Sequence, residues 1–469
     1  MKEKENEKEV DASAWLCFYG INCPELQLPY FAVSAGQTWC ILASNSSGVN
    51  ILVDLLSGDD NDCEIQELRV PEDFRVVSFR RQQELFEQEV RNDDSDYIDY
   101  PDPGTPAAAF LGNSEKDAEL VRLFGLEHVL ESGYRQLSSG EGRKLLLLEA
   151  ITSGARHLLI ENPYDGLDLA SCSEFDRIIE GLSQEGVKVV VMSSSRYDVP
   201  VWCSHLLVLD SGRVVASGRK EEVLATAGHF ENDAWRLTAL EVPETDKRED
   251  ELVRLVNGHA RYGERQIFSA MNLLVHRGDH TLITGPNGSG KSTLLNLITG
   301  DHPDCYSNEL YLFGIRRGTG ESVWELKKDM GIVSPALHRN HYIPGNALEI
   351  VVSGFFDSIG LYRSVTAVQE KRAREWLEVI GLSEHAGTPF RRLGFARQRL
   401  VLIARAMIKM PRLLILDEPT HGLDDGNRER LLSFLEMVAE KKLSTILYVS
   451  HRLDEYRGFF KYQIKMSAS

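Results

Sequence analysis

The feature that most constrains the fold of this chain is an internal repeat of long and constant spacing. LLIENPYDGLD begins at Leu158 and LLILDEPTHGLD begins at Leu413, and both end an apolar run with acidic or amide residues, Pro and Gly-Leu-Asp. A separation of 256 residues relates Glu161 to Asp417. Repeated spacing across separate segments indicates tandem modules rather than one domain. The same separation relates Asp168 to Asp424, Ser138 to Gly394, and Ser195-Arg196 to His451-Arg452.

The repeat predicts a module at residues 12–239 and a second module at residues 252–469. Residues 44–48 match 286–290 at a shift of 242, so the second module carries 14 additional residues before position 394. Residues 240–251, LEVPETDKREDE, are charged and lack apolar periodicity, which indicates a linker. Residues 1–11 are highly charged and are predicted to be a disordered start.

The strongest chemical motif is GPNGSGKS at residues 285–292, which follows a strand-like run and precedes a helical pattern. GxxxxGKS in a strand–loop–helix context is a phosphate-binding P-loop, whose amides and helix N-terminus face the anion. We expect Lys291 to reach the β- and γ-phosphates of ATP and the Ser292 hydroxyl to bind Mg²⁺. The ATP-binding residues predicted here are Gly285, Pro286, Asn287, Gly288, Ser289, Gly290, Lys291, Ser292 and Thr293.

A continuous apolar run at 413–416 predicts a buried parallel strand that ends in Asp417 and Glu418. Ligands of α/β proteins bind at the carboxyl edge of such strands. We therefore expect Asp417 to hold Mg²⁺ through water and Glu418 to orient and polarise the attacking water. An acidic pair alone would indicate a solvated loop, but the strand before it and the P-loop elsewhere favour a catalytic role.

Two further side chains fit this site by position. His451 follows a predicted strand at 445–450, and we expect it to contact the γ-phosphate and Glu418. Tyr262 lies upstream of the P-loop, where it could stack on adenine, although an ordinary half-buried tyrosine explains it almost as well. In the first module LLVLDSGRVVASG, from Leu206, predicts a β-hairpin with Ser-Gly at the turn, a hairpin that the second module lacks.

The order of these motifs resembles the ATP-binding-cassette superfamily, and LSSGE at 137–141 is similar to its LSGGQ signature. The resemblance implies an ATPase with ATP and Mg²⁺ as cofactors. It also implies an α/β fold of two tandem P-loop NTPase modules, each with a mixed, largely parallel sheet, flanking helices and a helical subdomain. Cassettes of this family pack head to tail, so the residues implied to face ATP from the opposite module are Ser138, Ser139, Gly140 and Glu141.

Two segments carry a more specific resemblance. TGDHPDCYSNELYLFG at 299–314 and SGFFDSIGLY at 353–362 are similar to twin-cassette proteins of the molybdate-transport and photorepair type. The resemblance implies a transport role that requires a separate membrane permease, because this chain contains no apolar run near the ~20 residues that span a bilayer. We therefore expect a cytoplasmic protein, peripheral at the inner face of the membrane where it meets such a permease.

The first module departs from the family pattern at five chemical positions. Val49 replaces the P-loop lysine, Asn50 the Mg²⁺-binding hydroxyl, Glu161 the aspartate, Asn162 the catalytic glutamate and Ser195 the histidine. A valine cannot bind phosphate through a charge, and an amide cannot serve as a base.

The second module departs at its signature, where Gly394 replaces the serine and Ala396 replaces a glycine. In a head-to-tail pair all these losses fall on one composite site. We therefore expect one hydrolytic site and one degenerate site that holds nucleotide weakly or serves as an interface. Ser334-Pro335 also replaces the glutamine that couples nucleotide to a permease in this family, and near Gln82 in the first module the register stays open.

Composition limits the partners. The net charge is −19, which disfavours binding to phosphate backbones, so no nucleic-acid partner is expected. Seven cysteines without CxxC spacing indicate reduced thiols rather than a disulfide framework or a metal site. The leading hypothesis is a transport ATPase, and the alternative is a soluble twin cassette that acts on a macromolecule such as the ribosome. A regulatory protein with little turnover is disfavoured by the retention of Glu418 and His451.

Overall fold

The computed structural model describes residues 13–45, 47–58, 63–93, 102–112, 115–226, 251–263, 265–339, 341 and 344–467. Its contacts divide the chain into two units, Met1–Gly166 with Ser171–Glu231 and Leu167–Ala170 with Asn232–Ser469. The predicted N-terminal segment 1–11 and linker residues 240–250 lie outside the described residues. Glu251, the last residue of the predicted linker, already begins a strand.

The first unit combines nine strands and six α-helices in its described residues. The strands are β1 (Leu16–Cys23), β2 (Leu26–Val33), β3 (Trp39–Ala43), β4 (Glu67–Arg69), β5 (Phe74–Val77), β6 (His157–Glu161), β7 (Lys188–Ser193), β8 (His205–Asp210) and β9 (Arg213–Arg219). The helices are α1 (Val49–Ser57), α2 (Phe79–Arg91), α3 (Glu115–Leu123), α4 (Ser139–Thr152), α5 (Leu169–Gln184), whose first two residues the contacts group with the other unit, and α6 (Lys220–Thr226).

All nine of these strands form one mixed sheet in the order β4-β1-β2-β9-β8-β3-β7-β6-β5. The part from β5 to β8 is parallel, whereas β1, β2 and β4 pair antiparallel. The predicted hairpin is confirmed as β8 and β9, and the turn residues Ser211 and Gly212 have φ values of 49° and 74°. Strand β9 also pairs with β2, so the hairpin joins the parallel and antiparallel parts into a continuous sheet.

The second unit has nine strands and seven α-helices in its described residues. The strands are β10 (Glu251–Tyr262), β11 (Arg265–His276), β12 (Thr281–Thr284), β13 (Glu309–Leu312), β14 (Ile315–Arg316), β15 (Met330–Val333), β16 (Leu413–Asp417), β17 (Thr445–Val449) and β18 (Tyr462–Lys465). The helices are α7 (Lys291–Thr299), α8 (Val323–Lys327), α9 (Pro335–Arg339), α10 (Ala347–Ser353), α11 (Ala367–Val379), α12 (Phe395–Met407) and α13 (Asp425–Glu440).

In the second unit the parallel strands form a separate sheet, β15-β16-β17-β12-β18, beside an antiparallel sheet, β11-β10-β13-β14. The parallel order repeats β5-β6-β7-β3-β8 of the first unit, as the sequence repeat predicts. Every residue of β16 and β17 is buried, because helices cover both faces of a parallel sheet and a continuous apolar run satisfies both. The arrangement confirms the α/β fold predicted from the motifs.

Strand register corrects one detail of the repeat. Glu161 pairs with Met192 in the first unit, whereas Asp417 pairs with Val449 in the second, so β7 and β17 are 257 residues apart. The turn before β7 is therefore one residue shorter than its counterpart. By this register the counterpart of His451 is Ser194 and not Ser195, although the substituted residue is still a serine.

The prediction of seven reduced thiols is wrong for one pair of cysteines. Cys23 and Cys63 form a disulfide with their Cα atoms 4.7 Å apart. Asn22 and Glu64 exchange two backbone hydrogen bonds, which places the cysteines in the adjacent, closely spaced position of an antiparallel pair. The other five cysteines are not in a disulfide. None of the helices in the described part of the chain combines the length and apolarity needed to cross a bilayer.

Candidate functional site: a nucleotide site built on the second unit

The P-loop connects the end of β12 to the start of α7, as the motif requires. Gly290 precedes the helix with φ 88°, a left-handed conformation that glycine adopts without strain. A Cβ atom at Gly290 would lie 2.6 Å from Cγ2 of Ile267, at the start of β11. The sequence therefore needs glycine here for both the backbone conformation and the close packing, and α7 presents free backbone amides toward the loop.

Lys291 lies within the loop and is 6% exposed. Its Nζ donates to the carbonyl oxygens of Gly285 and Pro286, each at 2.9 Å. Burial lowers the pKa of Lys291, and the carboxylates of Glu418 and Asp417 act in the opposite direction. The ammonium is thus positioned over the cradle with exchangeable carbonyl partners, from which it can turn to a phosphate oxygen.

The predicted Mg²⁺ ligands are brought together. Ser292 Oγ donates to Asp417 Oδ2 at 2.8 Å, although the two residues are 125 positions apart in the chain. Burial and the neighbouring Glu418 carboxylate raise the pKa of Asp417 to about 6. A hydroxyl and a buried carboxylate are hard oxygen ligands of the kind that Mg²⁺ takes, with phosphate oxygens and water completing its shell. The donor set therefore fits the predicted ion.

Glu418 and His451 also meet as predicted. His451 Nδ1 lies 3.2 Å from Glu418 Oε1, at the carboxyl ends of the adjacent strands β17 and β16. Burial alone would raise the pKa of Glu418, but the hydrogen bond and charge of His451 outweigh it and lower the pKa to about 2. The side chain is therefore a carboxylate at neutral pH, able to accept a hydrogen bond from water. Glu418 itself has φ 47°, which turns the chain sharply after the strand.

Arg399, which was not predicted from the sequence, binds the backbone of the turn that follows β16. The side chain is fully buried on α12, and burial lowers its pKa to about 10. It donates to the carbonyl oxygens of Asp417 at 3.3 Å, Glu418 at 2.5 Å, Pro419 at 3.1 Å and Ser334 at 3.3 Å. One guanidinium thus fixes the backbone that presents both acidic side chains.

The repeat contained a signal for this role. Arg143 lies 256 residues before Arg399 and likewise donates to the carbonyl oxygen of Asn162 and, at 3.3 Å, to that of Asp165. Asn162 has φ 44°, so both units make the same turn after the strand. An arginine that recurs at the same position of the two repeats indicates a shared structural function.

The contacts group residues Leu167–Ala170 with the second unit. There the Asp168 carboxylate accepts a hydrogen bond from the backbone N–H of Asn287 at 2.5 Å. Asp168 also raises the pKa of Lys291, against the larger effect of burial. The Gly-Leu-Asp residue of the earlier repeat therefore contributes a polar contact to the P-loop, a role that sequence reasoning missed.

Tyr262 ends β10 and is 53% exposed. Its ring meets the His302 ring edge-on, with 4.8 Å between the centroids. Ile267, a few residues on in the same hairpin, packs against Gly290, so the hairpin lies beside the P-loop. The position suits a platform for a base, and adenine stacking on Tyr262 stays a prediction.

The signature residues of the first unit form the start of α4. Ser138 is the N-cap of the helix, and Ser138 and Glu141 form a capping box. The Ser138 hydroxyl lies 2.7 Å from Glu141 Oε2 and is exposed. Burial would raise the pKa of Glu141, but the hydrogen bonds from Ser138 lower it. A hydroxyl and a helix N-terminus thus face outward from this unit, next to Ser139 and Gly140, as an anion-binding element would.

The corresponding element of the second unit has a different surface. Gly394 caps α12 without a side-chain hydrogen bond, and Phe395 follows where the first unit has Ser139. The Phe395 ring stacks on His338 with 4.6 Å between centroids, and a Cβ at Gly422 would lie 2.2 Å from Phe395 Cδ1. An aromatic ring packed within its own unit thus replaces the polar start of the signature helix.

The P-loop counterpart of the first unit keeps its backbone but not its chemistry. Gly48 has φ 67° and precedes α1, as Gly290 precedes α7. Val49 then opens the helix in place of a lysine, and the Ser44 hydroxyl donates to the Asp210 carboxylate at 2.8 Å. A carboxylate beside the cradle repels phosphate. Ser46 of this loop lies outside the described residues.

Strand register also settles the position of the coupling glutamine. Ser78 follows β5 and Ser334 follows β15, 256 residues apart, and both cap the next helix. Gln82 and Gln83 lie one turn further on, inside α2. Neither unit therefore carries glutamine directly after this strand.

Comparisons with known proteins agree with this geometry. A family model described as ABC transporter matches residues 268–421. The chain is 35% identical over 450 residues to the ABC transporter ATP-binding protein ModF of Escherichia coli K12, covering 92% of this chain and 91% of that protein. It is 27% identical over 362 residues to an uncharacterized ABC transporter ATP-binding protein of Schizosaccharomyces pombe, covering 74% and 72%.

Among solved structures, the archaeal ribosome recycling factor aABCE1, in complex with the ribosomal stalk protein aP1, aligns with a TM-score of 0.51. The identity is 18%, and the alignment covers 92% of this chain and 85% of that one, so this likeness concerns the fold alone. Together with the site described above, the relation to ModF identifies the family. The chain belongs to the ATP-binding-cassette family and is a twin-cassette P-loop ATPase.

Proposed function

We propose that this protein hydrolyses MgATP at one composite site, which pairs the P-loop of the second module with the signature of the first. The observation that carries the proposal is the distribution of chemical groups. The set of Lys291, Ser292, Asp417, Glu418 and His451 is complete only in the second module. A serine hydroxyl at the start of the signature helix occurs only in the first module.

Each residue of the site has a definable task. Lys291 exchanges its carbonyl partners for β- and γ-phosphate oxygens, and the amides at the start of α7 add to the anion site. Mg²⁺ held by Ser292 and Asp417 would neutralise charge on the phosphates. Glu418 accepts a hydrogen bond from the attacking water, and His451 holds the carboxylate in place.

The opposite pairing, of the P-loop of the first module with the signature of the second, lacks these chemical groups. Val49 and Asn162 provide neither a cation nor a base, and Gly394 and Phe395 provide no hydroxyl. Head-to-tail pairing of modules 12–239 and 252–469, joined by the linker 240–251, is part of the proposal. The distribution of substitutions supports it, because in that pairing the altered P-loop and the altered signature fall on the same composite site.

Nucleotide stoichiometry tests this proposal. Equilibrium binding of a fluorescent ATP analogue with Mg²⁺ should give one site per chain, and Lys291→Ala should abolish it. Asn50→Ala, at the position of Ser292 in the P-loop of the first module, is the control and should leave binding and turnover unchanged. Two equivalent sites, or binding that survives Lys291→Ala, would contradict the proposal.

For the biological role we propose an ATPase subunit of a transporter for molybdate or a related oxyanion, working with a separate membrane permease. The support is the 35% identity to ModF over most of both chains. A cytoplasmic protein that lies peripherally at the inner face of the membrane would meet such a permease. No nucleic-acid partner is expected at a net charge of −19.

A specific observation favours a second candidate, an ATPase that acts on a macromolecular partner without transport. Ser78 and Ser334 stand where a transport cassette carries its coupling glutamine. Glu418→Gln should trap the ATP-bound form, so its co-sedimentation distinguishes the candidates. Enrichment with membrane vesicles that contain a permease favours transport, whereas ATP-dependent enrichment with ribosomes favours the alternative.

A further inference from the structure

A buried carboxylate behind the site, Glu455, links the segments that carry the catalytic pair. Glu455 is fully buried in the turn after β17. Its Oε2 accepts hydrogen bonds from Tyr448 Oη at 2.9 Å and Ser450 Oγ at 2.6 Å, and its Oε1 accepts one from Thr420 Oγ1. A carboxylate with this little solvent is costly unless it is fully hydrogen-bonded, and here three hydroxyls provide that compensation.

The positions of these donors relate them to catalysis. Ser450 directly precedes His451, and its hydroxyl also accepts from the backbone N–H of Arg452 at 3.0 Å, so the backbone is held on both sides of His451. Thr420 comes two residues after Glu418, in the turn whose carbonyl oxygens Arg399 binds. One carboxylate thus ties together the two turns whose side chains meet at 3.2 Å.

Two guanidinium groups also lie near Glu455, at longer distances than the three hydroxyls that bind it. Arg428 Nε and Arg452 Nε each lie 3.7 Å from Glu455 Oε1. Arg428 also lies 2.9 Å from Asp425 and donates to the carbonyl oxygen of Leu423, in the Gly-Leu-Asp segment. The network therefore reaches the third turn at this edge of the sheet.

The first unit forms the corresponding strands with different side-chain hydrogen bonds. The bonds around Glu455 are therefore not required for this fold. At the register of β7, Val191 replaces Tyr448, and Ser193 donates its hydroxyl to the backbone carbonyl of Ser195. Tyr164 replaces Thr420, and its hydroxyl donates to Asp176 on α5. The hydroxyls of Ser193 and Tyr164 therefore bond to other groups, and the three-hydroxyl arrangement is seen in the unit that keeps Glu418 and His451.

We infer that Glu455 is a positioning residue for ATP hydrolysis, which fixes the His451 and Glu418 turns in the geometry that orients the attacking water. Because it is fully buried, Glu455 acts through its hydrogen bonds to Ser450 and Thr420. The inference rests on the proposed function of the Glu418 and His451 pair. A change of about 1 Å in such a pair lowers turnover by about 100-fold, while substrate binding depends on other groups.

Steady-state kinetics of the full chain tests the inference. Thr420→Val and Ser450→Ala should each lower kcat by about 10- to 100-fold and change KM little, because they release the turns but leave the P-loop intact. Ser193→Ala is the matched control, since Ser193 occupies the position of Ser450 in the first unit and donates to the backbone carbonyl of Ser195 instead of to such a carboxylate. It should lower thermal stability while kcat stays within about threefold of the wild type.

Two variants of Glu455 itself complete the experiment. Glu455→Gln keeps the shape and can still accept hydrogen bonds, so it should retain more kcat than Glu455→Leu, with ATP affinity unchanged in both. If Glu455→Leu does not fold, the Thr420 and Ser450 variants carry the test. Wild-type kcat in those two variants, or an equal loss in Ser193→Ala, would overturn the inference. The proposed function would fail separately, through turnover that is insensitive to Glu418→Gln.

Discussion

Replacing Asp417 with Asn should stabilise the nucleotide-free protein at neutral pH, although the change removes a predicted Mg²⁺ ligand. Asp417 is 6% exposed and lies beside Glu418, so folding raises its pKa from 3.8 to about 6. The folded protein therefore binds this proton more tightly than the unfolded chain does. Stability from this group is fully present below pH 3.8 and is lost as the pH rises through about 6.

The magnitude follows from the size of the shift. One pKa unit corresponds to about 1.4 kcal/mol, so ionising Asp417 costs the folded state at most about 3 kcal/mol above pH 6. At pH 5 only about half of this cost is present, because pH 5 lies about midway between the pKa of 3.8 in the unfolded chain and about 6 in the folded protein. The asparagine side chain would keep the hydrogen bond to Ser292 but carry no charge, so Asp417→Asn should remove the cost.

The assay is thermal unfolding in EDTA, with the fluorescence of Trp376, which is fully buried in the second unit, as one probe. For a unit of this size, about 3 kcal/mol corresponds to a rise in Tm of several degrees. The rise should be large at pH 7.5, about half as large at pH 5 and about a fifth as large at pH 4. A variant that is less stable than wild type at pH 7.5, or an effect independent of pH, would refute the reasoning.

Three other predictions concern single residues. Glu418→Gln should lower ATPase kcat by about 10²- to 10⁴-fold while nucleotide still binds, as an ATPase assay beside a binding titration would show, and near-wild-type turnover would remove Glu418 from the mechanism. Tyr262→Ala should weaken ATP binding by about 1–3 kcal/mol and Tyr262→Phe should not, whereas equal affinity in all three proteins would exclude adenine stacking. Cys23→Ser should destabilise the first unit by about 2–4 kcal/mol. Dithiothreitol should lower the Tm of the wild type but not that of the variant. A wild-type Tm that does not change with dithiothreitol would contradict the disulfide.

The parts of the molecule that could be predicted from the sequence are those whose conformation is determined by contiguous residues. The P-loop is one such part, because GPNGSGKS specifies its own backbone conformation and its helix start. The strand before Asp417 is another, because an apolar run of this length is buried on both faces. The repeat then places His451 near Glu418 through strand order alone.

Other features depend on contacts that no local pattern contains. The pairing of Cys23 with Cys63 follows from the register between Asn22 and Glu64, so counting cysteines could not reveal it. Arg399 acts on backbone carbonyl oxygens, which carry no sequence signal of their own.

The packing of Phe395 was likewise not predictable. The substitution at the second signature was evident, but the ring's contacts with His338 and Gly422 depend on segments that are distant in sequence. The one-residue shift that makes Ser194 the counterpart of His451 required the pairing of β6 with β7. Local motifs therefore predicted the chemistry, and the long-range register was needed to position it.

The most direct test of the single composite site compares ATPase activity after equivalent changes in the two signatures. Ser138→Ala should lower kcat by about 100-fold, because the proposed composite site needs this hydroxyl at the γ-phosphate. Ser138→Asp keeps the helix cap but adds a negative charge, so it should abolish turnover without loss of stability. Gly394→Ala should leave activity at the wild-type level. Equal losses at positions 138 and 394, or full activity in both Ser138 variants, would contradict the account.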